Sequence, residues 1–174
     1  MIRADVAVVG GGLAARWVAS RLGDSASVVR IEPDIARPAP ASHAALGIVA
    51  AGGHDSLVRL THAIGEAEAR ELWRFSEASC RRLLAMDPLH RSGVWRLALE
   101  ALELEEWRLS KRLLESWGRG GDLLWADAAE LESAGVGRGF LGGLRIGTDG
   151  VVNMDAVSSG LYETILPMAS GDAT

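Results

Sequence analysis

The chain has 174 residues, 48% hydrophobic and 24% charged, a composition typical of globular proteins that excludes disorder throughout. Its net charge is −5 and its basic residues are scattered, which argues against nucleic acid as the main partner. No apolar run approaches the roughly 18 residues that cross a bilayer, and Met1 leads almost directly into a strand, so we expect no membrane span, no signal peptide and a cytoplasmic location.

The N-terminal segment has the pattern of a strand, a helix and a second strand. Asp5 to Val9 is a β-branched run that ends in three glycines, which predicts a buried strand and a tight turn. A helix is predicted from Leu13 to Leu22, ending at Gly23, and Ser27 to Glu32 supplies the second strand. The short crossover makes the two strands parallel neighbours.

The rest of the chain alternates helices, strands and turns, without a repeat or a flexible linker. Pro33 to Gly53 is rich in Pro, Ala and Gly and predicts an ordered loop. The later predicted elements are a helix from Leu57 to Met86 broken near Gly65, a strand from Gly93 to Leu99, a helix from Glu103 to Trp117, a turn from Gly118 to Gly121, a short helix with a capping box of Asp127 and Glu130, a strand from Phe140 to Ile146, a turn from Thr148 to Gly150, and a helix from Asn153 to Ile165.

The single cysteine, Cys80, cannot form an internal disulfide. No spacing of Cys and His residues matches a zinc site, so we predict no metal. Cys80 lies in a helical pattern with Trp73 and Leu84, where we expect it to be buried as a small hydrophobic group. We assign it no chemistry.

The turn after the first strand has the pattern G-x-G-x-x-G/A. Gly10 allows the tight turn, and Gly12 lacks the side chain that would keep a pyrophosphate from the backbone. The N–H groups of Leu13 and Ala14 would face the phosphate at a helix N-terminus, where the helix dipole favours negative charge. Ala15 lets the helix pack closely on the sheet. The pattern therefore predicts a dinucleotide site.

Glu32, at the end of the second strand, narrows the choice of dinucleotide. A carboxylate there accepts hydrogen bonds from both ribose hydroxyls, which a phosphorylated NADP ribose does not offer. FAD or NAD is therefore preferred to NADP. The alternative is a strand-helix-strand unit with a glycine-rich turn and an incidental surface Glu.

After Glu32 the chain departs from a plain dinucleotide-binding fold and enters A-P-A-S-H-A-A-L-G-I-V, from Ala39 to Val49. This segment resembles the Ala/Gly-rich, flavin-contacting loop of the D-amino-acid oxidase/glycine oxidase family. The likeness extends from Asp5 to about Glu163. Its further matching segments are Glu71 to Trp73, Gly93 to Leu99, Glu103 to Glu106, Asp127 to Leu131, Gly142 to Leu144 and Asp149 to Asn153.

The resemblance implies an α/β fold with a Rossmann-like FAD-binding part, in which helices cover a parallel sheet, and part of an antiparallel substrate-domain sheet. This fold is incomplete relative to the family. The FAD-binding part would span residues 1–90, a partial substrate or cap domain 91–150, and a helix returning to the FAD-binding part 151–174. FAD would be bound through Gly10, Gly12, Leu13, Ala14, Glu32 and Pro33, with Ser42, His43, Gly47 and Ile48 near the ribityl chain and flavin.

The family removes a hydride from the carbon bearing an amine and passes it to flavin N5, leaving an imine that hydrolyses. Its members are roughly twice as long as this chain. We therefore expect an N-terminal half or subunit that acts on a small amine or amino acid together with a complementary polypeptide. The catalytic residue stays unknown. Two alternatives remain open: a non-catalytic, degenerate flavoprotein-fold subunit with a structural or regulatory role, and an NAD-binding protein of plain Rossmann type.

Several residues suggest sharper roles that we do not assign. The offset of His43 from Gly47 does not match covalent flavin attachment, so we expect a noncovalent contact. We expect Asp55 or Ser56 to cap the next helix, rather than His54 and Asp55 to form an acid/base pair. The six Trp residues are expected in the core and at domain interfaces.

Arg16 and Trp17 depart from the family, because they add bulk to the first helix where relatives have small residues. We therefore expect that helix to pack differently or to face a partner.

Overall fold

The computed structural model describes residues 3–31, 45–53 and 55–163, with side chains to Leu161. The chain divides into two compact units. The first, called the N-terminal unit, contains the residues up to Gly47 and those from Asn153 onward. The second, called the sheet unit, is Ile48–Val152. The predicted functional boundaries of 1–90, 91–150 and 151–174 stay a prediction.

The N-terminal unit contains the predicted strand-helix-strand arrangement. Strand β1 is Val6–Val9, helix α1 is Leu13–Leu22 and strand β2 is Val28–Ile31. The two strands are parallel, with Val6 opposite Val28 and Val9 opposite Ile31. Both strands and their direction are therefore confirmed, and α1 ends at Gly23 as predicted.

Helix α6, Met154–Glu163, belongs to the same unit and packs against α1. Its first turn is capped by Asn153, whose Oδ1 accepts hydrogen bonds from the N–H groups of Asp155 and Ala156. The Asn153 cap is therefore confirmed. Ile165, the predicted helix end, lies outside the described residues.

The sheet unit is built around one long strand. Strand β6, Gly142–Val151, pairs antiparallel with β4, Arg91–Ala98, along one side. The other side pairs with β5, Leu123–Asp127, near its start and with the two-residue β3, Ile48–Val49, near its end. Every strand pair in this sheet is antiparallel, as the resemblance implies.

Four helices complete the sheet unit: α2 at Leu57–Ile64, α3 at Glu66–Ala85, α4 at Ala101–Ser116 and α5 at Ala128–Ser133. Helices α3 and α4 pack on β6, and α2 packs on both of them. A three-residue 3-10 helix, Gly120–Asp122, precedes β5. Gly65, with φ of 90°, separates α2 from α3 and confirms the predicted break.

The predicted caps of two helices in this unit are confirmed. Ser56 caps α2, because its side chain accepts a hydrogen bond from the N–H of Arg59. Asp127 and Glu130 form the capping box of α5, each side chain accepting from the other residue's backbone N–H. None of the helices among the described residues is long and apolar enough to cross a membrane.

Two features of the sheet differ from the prediction. The turn expected at Thr148 to Gly150 is wrong, because these residues continue β6. Asp149, a residue common in turns, is fully buried there by an ion pair with Arg96, so a tertiary contact overrides its local preference. Strand β5 was not predicted, because its sequence, L-L-W-A-D, has no β-branched residue and no alternation of apolar and polar residues.

The core contains Cys80 and one of the six Trp residues expected in the core or at domain interfaces. Trp73 and Cys80 of α3 are 3% and 5% exposed, which confirms the buried role assigned to the cysteine. The other five Trp residues are half-buried. Burial, together with the negative charge of Asp149, raises the pKa of the Cys80 thiol to about 11.

Cys80 should therefore react with an aromatic disulfide reagent far more slowly in the folded chain than in urea. A rise in pKa from 9.0 to about 11 lowers the thiolate fraction about a hundredfold near pH 8. The folded pKa lies above the unfolded one, so the unfolded state loses its proton first and the free energy of unfolding falls as pH rises above about 9. Equal reaction rates in buffer and in urea at pH 8 would contradict this burial.

Candidate functional site

The glycine turn at the end of β1 is the candidate site of the N-terminal unit. Gly10 has φ of 126°, a left-handed conformation that L side chains rarely adopt. Its N–H donates to the carbonyl oxygen of Ile31 at 2.8 Å, which fixes the turn against the end of β2. Gly10 therefore serves the tight turn, as predicted.

Gly12 has a different reason to be glycine. Its φ of −78° and ψ of 171° are extended values that any residue adopts, so the backbone does not require glycine here. Gly12 precedes α1 without a side-chain cap, and the first turn of α1 carries no acidic residue. A helix N-terminus of this kind favours an anion, and the missing side chain leaves room for one near the backbone.

Arg16 lies against this turn. Its side chain is only 5% exposed, and its Nε donates to the carbonyl oxygen of Gly11 at 2.8 Å. The large Arg16 side chain of α1 therefore contacts the glycine turn. Trp17, the next residue, is half-buried. A guanidinium here adds positive charge near the N-terminus of α1.

In the sheet unit, the candidate site contains the backbone turn from Ala50 to Gly53, which directly follows β3 and is called the 50–53 turn. Asp149 Oδ1 accepts from the N–H of Ala51 at 2.9 Å. Arg96 donates through Nη2 to the carbonyl of Ala51 at 2.6 Å and through Nη1 to that of Gly53 at 3.0 Å. The same two side chains thus hold both ends of the turn.

Arg96 and Asp149 also pair with each other in the interior. Arg96 Nη2 donates to Asp149 Oδ2 at 2.8 Å, and their side chains are 7% and 0% exposed. The guanidinium carbon lies 5.6 Å from the ring centroid of Trp73 and 5.7 Å from that of Trp107. Both distances are within the range of cation–π attraction, so two aromatic rings replace part of the solvation that Arg96 loses.

An open cavity of about 710 Å³ lies beside this pair in the sheet unit. Its walls combine apolar and aromatic side chains with three carboxylates and two guanidiniums. The lining residues are Ile48, Ala50, Gly53, Asp55, Ser56, Arg59, Val94, Trp95, Arg96, Leu97, Glu103, Glu106 and Trp107. A volume of this size holds a small molecule.

The charges in the cavity are largely paired. Arg59 Nε donates to both carboxylate oxygens of Glu106 at 2.9 Å. This bond lowers the pKa of Glu106 and raises that of Arg59, so both are ionised at neutral pH. Glu103 Oε2 accepts from the N–H groups of Leu99 and Glu100. Among the described residues, no group of three His, Cys, Asp or Glu side chains could hold a metal ion.

The predicted cofactor residues fall into three groups. Gly10, Gly12, Leu13 and Ala14 lie together at the glycine turn of the N-terminal unit. Gly47, buried with φ of 71°, and Ile48, 57% exposed at the cavity, directly precede the 50–53 turn. Glu32, Pro33, Ser42 and His43 lie outside the described residues, as does His54. The assignment of all ten residues to FAD stays a prediction.

The sequence did not point to Arg96, Asp149 or Trp107. A signal for Arg96 was present, because it is a charged residue at an inward position of the alternating strand Gly93 to Leu99. A charge buried at such a position needs a partner. Asp149 is separated from Arg96 by 53 residues, so no local pattern joins them.

A model of FAD-dependent oxidoreductases matches residues 5–167, which is nearly the whole chain. The chain belongs to the D-amino-acid oxidase-type family of FAD-dependent oxidoreductases. The family resemblance seen in the sequence is therefore confirmed. FAD is the cofactor of this family. A comparison with curated proteins gives no significant match.

Solved structures of this family share the fold of the chain. Glycine oxidase from Geobacillus kaustophilus has a TM-score of 0.63 at 22% identity, over 95% of this chain and 45% of that one. Glycine oxidase from Bacillus cereus ATCC 14579 has a TM-score of 0.58 at 21% identity, over 94% and 44%. L-alpha-glycerophosphate oxidase from Mycoplasma pneumoniae with FAD bound has a TM-score of 0.63 at 17% identity, over 94% of this chain and 42% of that one.

These coverages confirm the predicted fold class, a partial Rossmann-like FAD fold of the oxidase family with a parallel and an antiparallel sheet. The chain spans less than half the length of each of these three structures.

Two neighbouring glycines test how tightly the 50–53 turn is packed. A Cβ added at Gly52, with φ of 72°, would lie 2.5 Å from Cζ3 of Trp73, whereas one at Gly53, with φ of 80°, would meet nothing within 4 Å. Both alanine variants carry a left-handed strain of about 1–2 kcal/mol, and only Gly52→Ala adds overpacking of about 1–3 kcal/mol. Urea unfolding should show the larger loss for Gly52→Ala. Equal losses would mean that Trp73 does not confine the turn.

Proposed function

We propose that the chain is the FAD-binding part of an oxidoreductase that removes a hydride from an amine-bearing carbon of a small amine or amino acid. The observation that carries the proposal is the family match over residues 5–167, together with a glycine turn that fits a pyrophosphate. When bound, FAD accepts the hydride at flavin N5, and the imine product is hydrolysed. The proposal includes a cytoplasmic location for this oxidoreductase.

The residues of the glycine turn fit the phosphate end of this cofactor. Gly12 and the N-terminal turn of α1, with Leu13 and Ala14, would hold the pyrophosphate by backbone N–H groups. Glu32 and Pro33 would bind the adenosine end by resemblance. Ser42, His43, Gly47 and Ile48 would lie along the ribityl chain and flavin. These residues bind and orient the cofactor, and none of them is assigned a catalytic role.

The cavity of the sheet unit supports a cationic rather than an anionic substrate. Its three carboxylates, Asp55, Glu103 and Glu106, exceed its two guanidiniums, Arg59 and Arg96, and both guanidiniums are paired with carboxylates. The potential there favours an ammonium group over a phosphate. The related glycerophosphate oxidase is named for a different substrate. Activity measured on a panel of amines, amino acids and glycerophosphate therefore separates cationic from anionic substrates.

The proposal includes a complementary polypeptide that carries the remainder of the fold. Its support is that this chain covers only 42–45% of the three related structures. Hydride transfer requires a substrate enclosed against the flavin and shielded from water. The chain alone is therefore expected to bind FAD weakly or not at all.

Arg16 favours a second candidate, a non-catalytic subunit that keeps the flavoprotein fold for a structural or regulatory role. Its buried guanidinium is bonded to the glycine turn itself. A turn that serves only to pack α1 would have no need of a cofactor. Binding of FAD to the native assembly, and its loss when Gly12 is changed, distinguishes the two candidates.

The Gly12→Val variant tests the phosphate site in the native assembly purified through this chain. Valine fits the extended backbone at residue 12 but places a side chain where the pyrophosphate would approach. FAD affinity should fall at least about tenfold, the size expected when one charge-assisted hydrogen bond is lost. Gly121→Val is the matched control, because a Cβ at Gly121 meets nothing within 4 Å.

Titrations with FAD and NAD complete this test. The assembly should bind FAD in preference to NAD, and Gly121→Val should bind it as the wild type does. Preference for NAD would contradict the flavoprotein assignment. Tight FAD binding and amino-acid turnover by the isolated chain would instead overturn the need for a complementary polypeptide.

A further inference from the structure

We propose that Arg96 and Asp149 are positioning residues that fix the 50–53 turn and, through it, Ile48 of the preceding strand β3 at the edge of the cavity. This inference rests on the proposed function, which places Ile48 near the flavin. Its substance is that a buried ion pair, 53 residues apart in the chain, sets the conformation of the cofactor-facing segment.

The first step of the argument is the number of bonds directed to one short turn. The pair makes three hydrogen bonds to it, two to Ala51 and one to Gly53, at distances from 2.6 to 3.0 Å. The N–H of Gly52 donates separately to Ser76 Oγ at 2.8 Å. Three successive residues are thus anchored by side chains of β4, β6 and α3. Ordinary loops rely far more on backbone and solvent.

The second step is that β3 alone cannot hold this segment. Only Ile48 and Val49 pair with β6, opposite Val151 and Gly150. A pairing of two residues offers few ladder hydrogen bonds, and short edge strands fray. The side-chain bonds begin at Ala51, just beyond the end of this pairing, and continue the attachment of the segment to β6 through Asp149.

The third step concerns the cost of the pair. Taking a guanidinium and a carboxylate out of water is expensive, and well-packed apolar residues in their place are often as stable. Arg96 carries a further cost, because its buried Nε has no hydrogen-bond partner among the described residues. A pair that served general stability alone would gain little from this arrangement. What the ion pair does achieve is to fix the conformation of Ala51 to Gly53.

The experiment compares this pair with an ion pair of the same unit that has one buried member. Glu77, 2% exposed in α3, pairs with Arg119 and Arg81, whose side chains are 36% and 64% exposed. Among the described residues, the Glu77 carboxylate is bonded to these two arginines and not to the 50–53 turn. The variants are Arg96→Met, Arg96→Lys and Asp149→Asn, with Glu77→Gln as the matched control. Amide hydrogen exchange of the full chain reports on the turn, and FAD affinity with the flavin absorption spectrum of the native assembly reports on positioning.

Exchange at Ala51 and Gly52, whose N–H groups donate to Asp149 and Ser76, should accelerate at least about tenfold in Arg96→Met and Asp149→Asn, because the turn loses charged hydrogen bonds. Arg96→Lys should recover part of this protection, since an ammonium keeps the charge but loses the planar fork. FAD affinity should fall by a similar factor, with a shifted flavin spectrum. Glu77→Gln should lower overall stability and leave these two amides and the spectrum unchanged.

Equal acceleration of the Ala51 and Gly52 amides in Glu77→Gln and Arg96→Met would overturn the inference, as would an unchanged flavin spectrum in every Arg96 and Asp149 variant that still binds FAD. If the wild-type assembly holds no flavin, the proposed function fails, and the exchange result still decides whether the pair fixes the turn. Should Arg96→Met not fold, Arg96→Lys and Asp149→Asn carry the comparison. Ser76→Ala then serves as a reference, since it removes the bond to Gly52 and one to the Trp73 carbonyl and should accelerate the Gly52 amide alone.

Discussion

The sheet unit depends on the buried ion pair between Arg96 and Asp149, which joins β4, β6 and the 50–53 turn. A carboxylate with no exposure and a guanidinium at 7% exposure are tolerated only because every charged oxygen and both Nη atoms have partners. These bonds attach the backbone after β3 to both strands. Two aromatic rings, Trp73 and Trp107, enclose the guanidinium and extend this constraint to α3 and α4.

Local signals predicted the elements whose causes are local. The strand-helix-strand segment, the break at Gly65 and the caps at Ser56, Asp127 and Asn153 all depend on residues close in sequence, and each is confirmed. The turn expected at Thr148 to Gly150 was wrong for the opposite reason. Asp149 stays in β6 because Arg96, distant in sequence, neutralises it, and a pattern of neighbouring residues carries no trace of that contact.

The candidate site was predicted unevenly on the same grounds. The glycine turn has a fingerprint whose spacing follows from the phosphate it would bind, so Gly10 and Gly12 were recognisable. The two positions favour glycine for different reasons. Gly10 adopts a left-handed φ, whereas Gly12 has an extended φ and would need glycine only to leave room for a phosphate. The cavity depends on side chains from five separate elements and loops, and only tertiary structure assembles it. Arg16, a departure from the family, is the one residue at the turn whose role divides the proposed enzyme from the proposed non-catalytic subunit.

Native mass spectrometry of the assembly purified through this chain tests the central claim most directly. The account predicts that the mass of the assembly includes one FAD, with a flavin absorption spectrum from the same sample. An assembly without flavin, held together with a protein unrelated to the oxidase fold, would contradict it.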